Sequence, residues 1–356
     1  MNLRRIVRAF GPAIGLLATW SLFAALAGGS FTGWNNTQLM LLQTAVVGLA
    51  AVGATWIIVG GGIDLSVGST IALATMAGAK VLAGGGGLPA AMLATVATGA
   101  VVGWLIGALV VGALPRVLVA LAAAAATGYL GKSLGLGLWS WALALVVAVV
   151  AFVASRRIAW TLPLSPFIIT LGLWGTLRGL AKGLGDNQPI YFERNETLAS
   201  LMHTGGILPT GVWVMLAVAA IAALGLQRTV FGRHVVAVGS NRQTARLCGV
   251  DVPRTELRVY ILGCTCAGIA AVLQLSYLSM GDPTTAQGYE LKAIAAAVIG
   301  GASLAGGEGS IVGTLLGALI MTVVDNGCTK LGLDNWVQEV VTGGIIVAAV
   351  ALDRLR

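Results

Sequence analysis

The stretch TQLMLLQTAVVGLAAVGATWIIVGGGIDLSVGSTIALATMAGAKVLA, residues 37–83, decides the fold class of this chain of 356 residues. Its only charged residues are Asp64 and Lys80, and three glycines at 60–62 divide it into two apolar segments. Each segment has about the 20 residues that a helix needs to cross the hydrocarbon core of a bilayer. The stretch therefore predicts two membrane-spanning helices joined by a turn.

Composition extends this prediction to the whole chain. Hydrophobic residues make up 57% and charged residues 10%, and the mean hydropathy is +0.92, whereas soluble domains carry about 25% charged residues. These values exclude a soluble enzyme, a disordered chain and a disulfide scaffold. We predict an all-α polytopic membrane protein with a single transmembrane domain over residues 1–356. Twelve spans are expected near residues 10–28, 37–60, 66–83, 88–113, 116–131, 138–155, 164–181, 207–227, 257–280, 289–304, 309–328 and 336–352.

The charged residues between the spans indicate the orientation of the chain. If the chain starts in the cytoplasm, the twelve spans place the basic residues on the cytoplasmic side, with the largest group at 228–258. The opposite loop at 183–206 carries Asp186, Glu193 and Glu196 against one arginine. This positive-inside pattern predicts cytoplasmic N- and C-termini. A cleaved signal peptide is the alternative for the first run, and the basic group lacks the aromatic residues typical of nucleic-acid binding.

Glycines interrupt several of the predicted spans, at 60–62, 84–87, 300–301 and 306–307. Non-helical backbone at membrane depth is tolerated only where it is buried in protein or lines a cavity. The breaks therefore favour a transporter over a passive membrane anchor.

Asp64 is the one carboxylate in the first of these breaks. An unpaired carboxylate near the middle of a membrane costs roughly 2.5–3.5 kcal/mol on insertion scales. The glycines allow a turn in which Asp64 caps the helix that begins near Ser66. A direct role in transport is the alternative hypothesis.

The longest charged segment, residues 229–260, lies on the predicted cytoplasmic side. Its middle, SNRQTARLCG at 240–249, is long enough for a helix of two turns ended by Gly249. Such a helix would present Ala245 and Leu247 beside polar residues and dock in a groove on a soluble partner. An ordinary solvated loop is the alternative.

Three motifs resemble one family. They are GGIDLSVGS at 61–69, AVGSNRQTARLCGVDV at 237–252 and GYELKAIAAAVIGGASLAGGEGSIVGTLLGALI at 288–320. In this order they are similar to the permease subunits of bacterial ATP-binding-cassette importers for ribose, xylose, galactose and related sugars. The resemblance covers most of the chain from residue 36 to residue 353, outside residues 113–162.

The resemblance implies the partners of the chain. The family forms a permease dimer, of two identical or two related chains, that opens alternately to each side of the bacterial cytoplasmic membrane. An extracytoplasmic binding protein delivers the sugar, and a cytoplasmic ATPase binds ATP and magnesium, so that the permease has no catalytic residue, metal or cofactor. Residues 228–256 then form the cytoplasmic coupling loop. The residues expected at the ATPase contact are Gly239, Asn241, Arg242, Ala245, Arg246, Leu247 and Gly249.

The chain departs from the family pattern at several positions. Residues 113–162 resemble an inserted pair of helices added to about ten core helices. The family usually has Asp at the position of Lys292, a basic residue at that of Glu308 and Arg at that of Tyr277. The two reversed charges suggest that Lys292 pairs with Glu308, within a protomer or across the dimer, which requires a re-entrant hairpin broken at the glycines. Two independent interfacial charges are the alternative.

Polar residues inside the apolar spans are candidates for the translocation path, namely Gln43, Asp64, Thr170, Asn326 and Gln338. A permease for branched-chain amino acids or nucleosides is the closest rival hypothesis, and an ion-coupled secondary transporter is a further one. A membrane-embedded enzyme is disfavoured, because His203 and His234 are predicted on opposite sides and no metal-ligand cluster appears in the sequence.

Overall fold

The computed structural model describes residues 3–135, 139–155, 162, 164–204 and 208–354. The helices in these ranges are α1 (Leu3–Ala27), α2 (Gly29–Thr32), α3 (Trp34–Val59), α4 (Val67–Ala83), α5 (Leu88–Val110), α6 (Leu114–Ser133), α7 (Trp139–Ala154), α8 (Pro166–Leu184), α9 (Glu196–Ser200), α10 (Thr210–Arg228), α11 (Val230–Ser240), α12 (Arg242–Leu247), α13 (Val252–Leu278), α14 (Tyr289–Ile299), α15 (Ile311–Lys330) and α16 (Asn335–Arg354). Strands β1 (Ile190–Tyr191) and β2 (Met280–Gly281) pair antiparallel. The prediction of an all-α membrane protein is confirmed.

The number of membrane crossings stays a prediction. In the described ranges, α3, α5, α6, α10, α13 and α15 are long and apolar enough to cross a bilayer, and α4 and parts of α1 and α7 are shorter apolar helices. The predicted span at 289–304 is wrong in length, because α14 ends at Ile299 and rises only about 16 Å over its 11 residues. That rise is about half of the 30 Å hydrocarbon core.

Helices α3 and α13 form the centre of the bundle. Every residue of α3 from Thr44 to Val59 is buried, and α13 packs against α3, α4 and α5. Gly99, Gly103 and Gly107 follow one another at every fourth position of α5 and face the backbone of α13. A Cβ at Gly99 would lie 2.9 Å from the Cα of Gly268. Small residues at this spacing let helix backbones approach closely in a membrane, where apolar burial alone does not drive association.

Buried polar side chains join α3 to α15. Asn36 Nδ2 donates to Asn326 Oδ1 at 2.8 Å, and Asn326 Nδ2 donates back to Asn36 Oδ1 at 3.0 Å. The hydroxyl oxygens of Thr55 and Thr314 lie 2.7 Å apart further along the same two helices. Such bonds satisfy polar groups that lipid cannot solvate and fix the register of the two helices.

The bundle has two ends, which helix α13 connects. Helix α13 begins beside α12 and ends beside β2, so its 27 residues run about 40 Å from one end to the other. We call the end that carries β1 and β2 the strand end and the opposite one the α12 end. Helix α3 runs the other way, from Trp34 at the strand end to Val59 at the α12 end.

Helices α6 and α7 occupy the predicted extra pair of spans and pack mainly against each other. They contact α5 through the edge of Trp104 against Phe152, with ring centroids 4.7 Å apart. Their outer faces expose apolar side chains such as Leu118 and Val150. The observed helices agree with the predicted bounds, whereas the predicted status of 113–162 as an insertion stays a prediction. The arginines at 156–157 and residues 136–138 lie outside the described residues.

Candidate functional site

A cavity of about 330 Å³ with both apolar and polar lining residues lies at the strand end, between α3, α13, α14, α15 and α16. Its size falls at the lower limit of small-ligand sites, about 300–1,000 Å³. Its apolar lining residues are Leu39, Val46 and Val47 of α3 and Met202, which follows α9. Its polar lining residues are Gln43, Gln274, Tyr277, Tyr289, Lys292, Thr322, Asp325, Asn326, Thr329, Lys330 and Gln338.

Helical spacing explains why these residues face one space. Gln274 and Tyr277 are three residues apart on α13, and Tyr289 and Lys292 are three apart on α14. Side chains at this spacing share one face of a helix. Two short polar faces, one on α13 and one on α14, therefore meet across the cavity.

The charged centre of the cavity is an ion pair between α14 and α15. Lys292 Nζ lies 2.5 Å from Asp325 Oδ2, and it also lies 5.6 Å from the ring centroid of Tyr289. Both charged side chains are partly exposed, 23% for Lys292 and 22% for Asp325. The pair is therefore accessible from the cavity and not sealed in the protein core.

This pair corrects the prediction that Lys292 contacts Glu308. Helices α14 and α15 run antiparallel, because Gly300 lies against Gly313, and Ala296 against Gly317. That packing brings Lys292 to the C-terminal part of α15 at the strand end, whereas Glu308 precedes α15 at the other end. The predicted pair is wrong within one chain, and a pair between two copies stays a prediction. The predicted break of the helix at Gly300 is observed.

The predicted path residues divide into two groups. Gln43, Asn326 and Gln338 line the cavity. The Asn326 side-chain amide donates a hydrogen bond to Asn36 Oδ1 at 3.0 Å, and Gln338 Nε2 donates to the Leu333 carbonyl at 2.9 Å. These two amides therefore also have structural partners.

Asp64 and Thr170 do not line this cavity. Thr170 Oγ1 donates to the Pro166 carbonyl of its own helix at 2.9 Å. Asp64 is 4% exposed, and its Oδ1 accepts from the Ser66 backbone N–H at 2.7 Å and from Ser66 Oγ at 2.6 Å. Cys264 Sγ lies 3.4 Å from Asp64 Oδ2. Since Ser66 itself is the N-cap of α4, Asp64 stabilises the turn before the helix and is not the N-cap residue.

The predicted docking helix is shorter than expected and is turned differently. It forms the six-residue α12, begins after Asn241, whose Oδ1 accepts from the Thr244 N–H at 2.9 Å, and ends before Gly249 at φ +83°. Ser240 belongs to α11 instead. Ala245 is 3% exposed, whereas Leu247 is 88% exposed. The expectation that Ala245 faces a partner is wrong.

The reason is local packing under α12. Ala245 packs against Val238 of α11 and Val252 of α13. Arg242 turns back toward the bundle, with Nη2 2.7 Å from Glu256 Oε1 on α13. Leu247 and Arg246 remain on the outer surface.

Close backbone contacts connect α11 to the centre of the bundle. A Cβ at Gly239 would collide with the carbonyl oxygen of Val59. The same carbonyl accepts a hydrogen bond of 2.8 Å from the Gly307 N–H. Gly239, predicted at a partner contact, therefore joins α11, the end of α3 and the loop before α15 inside the chain.

Sequence reasoning missed the strongest feature of the cavity. Asp325 is a carboxylate in an apolar predicted span, next to Asn326, which was selected. Ionisable residues in membrane helices mark functional sites by default, so this signal was available. For Gln274 and Tyr289, the sequence offered only the weaker indication that each lies three residues from another polar residue on its helix. Across the described ranges, no group of three or more His, Cys, Asp or Glu side chains is arranged to hold a metal ion.

Comparisons with known proteins agree with this architecture. The family model described as branched-chain amino acid transport system / permease component matches residues 115–350. The ribose import permease protein of Escherichia coli (strain K12) is 36% identical over 347 residues, covering 96% of this chain and 92% of that protein. No solved structure matches the chain.

Two further relatives cover nearly the whole chain. The ribose import permease protein of Bacillus subtilis (strain 168) is 31% identical over 99% of this chain and 94% of its own length. The D-allose transport system permease protein of Escherichia coli (strain K12) is 32% identical over 94% and 88%. All three are transport components rather than enzymes. The chain therefore belongs to the family of permease subunits of ATP-binding-cassette importers that includes these sugar permeases.

Proposed function

We propose that the chain forms the membrane path of an importer for a neutral monosaccharide, a pentose or a hexose. The observation that carries this proposal is the cavity at the strand end, whose wall combines amide, phenol and hydroxyl groups with one ion pair. Polyhydroxylated ligands need many hydrogen-bond partners, and burial of their hydroxyl groups is costly without them. The names of the ribose and D-allose relatives support the same substrate class.

The proposed orientation puts the strand end outside the cell and α12 in the cytoplasm, with both termini cytoplasmic. The positive-inside pattern supports it, because the exposed arginines of 228–258 surround α12. An extracytoplasmic solute-binding protein then delivers sugar to the cavity. A cytoplasmic ATPase, which binds the ATP and magnesium, contacts α12. A second permease copy, identical or related, completes the path in the bacterial cytoplasmic membrane.

The surface of α12 supports the ATPase contact. Leu247 is a large apolar side chain that is almost fully exposed, and it lies beside the exposed Arg246. An exposed apolar side chain on a short helix suits a groove on a partner, and arginine is enriched among the residues that dominate binding energy. The buried Ala245 and the Arg242–Glu256 ion pair fix α12 to the bundle. Movement of α12 would therefore be transmitted to α11 and α13.

Leu247→Asp tests this contact in proteoliposomes that hold the permease, the copurified ATPase and the binding protein. We expect the variant to insert normally but to lose stimulation of ATP hydrolysis by the sugar-loaded binding protein, because a carboxylate would be desolvated in the docking groove. Gln243→Asp, an exposed polar position on the same helix, is the matched control and should retain stimulation. Unchanged stimulation in Leu247→Asp would contradict the proposed contact.

Substrate and energy source are tested with the same proteoliposomes. Labelled ribose, allose, glucose and leucine are offered with the binding protein, with ATP inside or with an ion gradient alone. We expect ATP-dependent uptake of a monosaccharide that an ionophore does not abolish. Uptake of leucine only would favour the branched-chain amino-acid alternative, and gradient-driven uptake would favour an ion-coupled transporter.

A further inference from the structure

The Lys292–Asp325 pair differs from the other polar groups of the cavity in the number of hydrogen-bond donors and acceptors that it presents to a ligand. The amides of Gln274, Asn326 and Gln338 each donate to a protein acceptor, Thr285 Oγ1, Asn36 Oδ1 and the Leu333 carbonyl. An ammonium group has three donors and a carboxylate has two acceptor oxygens, and the contact between the pair uses one of each. Strong donors and acceptors therefore lie side by side at the cavity wall.

We propose that this pair is the specificity-determining contact of the cavity and that it forms hydrogen bonds with two adjacent hydroxyl groups of a neutral sugar. This inference rests on the proposed function and identifies which chemical group of the substrate is selected. One hydroxyl accepts from Lys292 Nζ, and its neighbour donates to the Asp325 carboxylate. Because the two charges cancel, the pair attracts neither an anion nor a cation as a whole.

The partial exposure of the pair supports this role. With 23% and 22% of the side chains accessible, both charged groups can be solvated, so a ligand must replace their hydrogen bonds to water. A sugar with adjacent hydroxyls replaces those hydrogen bonds. An apolar side chain, such as that of leucine, would desolvate the two charges without replacing them, which is unfavourable.

Packing around the pair keeps it in place for this contact. The ring of Tyr289, one turn before Lys292 on α14, lies under the ammonium group. Asp325 is next to Asn326, which is fixed by two hydrogen bonds to Asn36. The lysine is thus held against an aromatic ring of its own helix and the carboxylate lies on a helix that is fixed to α3, as a preorganised polar site requires.

The experiment compares the sugar that the importer carries with its single-deoxy analogues. Uptake kcat/KM is measured in proteoliposomes with the ATPase and one binding protein, for the wild type and for Lys292→Met/Asp325→Leu, whose side chains are of similar size but carry no hydrogen-bond donor and only a weak acceptor. Because the same binding protein serves both, its own selectivity cancels in the comparison. We expect the wild type to prefer the sugar over the analogues that lack either of two adjacent hydroxyls, and the double variant to lose at least about tenfold of that preference.

Two further variants make the result decisive. Lys182→Gln changes an exposed lysine in the last turn of α8 that does not line the cavity, and it should keep the wild-type preference. Lys292→Asp/Asp325→Lys keeps one charged donor beside one charged acceptor and should also keep the wild-type preference. If the neutral variant does not assemble, this exchanged variant provides the test. An unchanged preference in an active neutral variant, or a preference lost in an active exchanged variant, overturns the proposal. Failure of the wild type to import any sugar would instead overturn the proposed function.

Discussion

The two ends of the bundle use the same helices in opposite ways. At the strand end, α3, α13 and α15 leave a cavity of about 330 Å³ lined by polar side chains. At the α12 end, a much smaller space of about 10 Å³ lies beside Arg242, Glu256 and Tyr260. The strand end of the described structure is therefore the more open of the two ends, and the α12 end is the more closed.

Side-chain size explains the difference. At the α12 end, Gly61, Gly239 and Gly307 bring three backbones into direct contact, and interiors packed this closely transmit displacements. At the strand end, long side chains hold the helices apart and leave space between them. An end closed by backbone contacts is sensitive to a single added methyl group, whereas an end lined by side chains is sensitive to charge and hydrogen bonding.

The largest expected effect comes from filling the closed end. Gly239→Val places side-chain atoms against the Val59 carbonyl, which costs about 1–3 kcal/mol or more by overpacking. We expect a lower Tm of the purified protein and loss of uptake. The control is Gly343→Val on α16, where a Cβ meets nothing within 4 Å. Equal Tm and equal uptake in both variants would mean that the closed end is not held by backbone contact.

A smaller effect is expected from the ion pair that holds α12. Arg242→Gln leaves Glu256, whose side chain is 10% exposed, without its cation at 2.7 Å. Because Arg242 is half exposed, the cost should be about 1–2 kcal/mol, below that of a fully buried pair. We expect several-fold weaker coupling between sugar uptake and ATP hydrolysis.

The double variant Arg242→Gln/Glu256→Gln should recover part of that coupling, since it removes the unpaired carboxylate. Coupling is measured in the wild type, the two single variants and the double variant, and the four values give the interaction energy of the pair. If the effects of the single variants simply add in the double variant, the pair does not act as a unit. Arg254→Gln is the control, because its pair with Asp251 lies at the surface, with Arg254 77% exposed. It should change coupling by less than about 1 kcal/mol.

The smallest effect on activity is expected from a topology probe in the α6–α7 pair. Ser133→Cys, in a background without the four native cysteines, lies at the exposed end of α6. If residues 116–155 cross the membrane twice, an impermeant thiol reagent should label it from outside while uptake stays normal. Thr244→Cys on α12 should react only after the cells are permeabilised. The reverse pattern would contradict the proposed orientation of both ends.

Features set by neighbouring residues were predictable. Apolar runs of about 20 residues and their glycine breaks gave most helix positions, because length and turn residues act locally. Gly249 marked the end of the docking helix within two residues for the same reason, whereas the predicted start at Ser240 lies two residues before Arg242. The hydrogen bonds of Asp64 to Ser66 likewise span only two positions.

Features set by facing helices were not predictable. A helix such as α3, apolar and buried on all sides, has no polar face from which its neighbours can be inferred. Sequence reasoning therefore selected Gln43, Asn326 and Gln338 for polarity alone, and it could not distinguish them from Thr170, which the structure places elsewhere. The burial of Ala245 could not be predicted from its neighbours in the sequence either, since it depends on packing against Val238 and Val252.

The amino-acid sequence by itself determined a polytopic helical membrane protein, its permease family and the positions of its glycine breaks. Only the tertiary structure decided that Lys292 meets Asp325, 33 residues along the chain, and that Asn36 meets Asn326, 290 residues along. The physical reason is that apolar length and local turns select helices in a bilayer. The pairing of their polar groups depends on which small residues let two backbones approach, and that is a property of the assembled bundle.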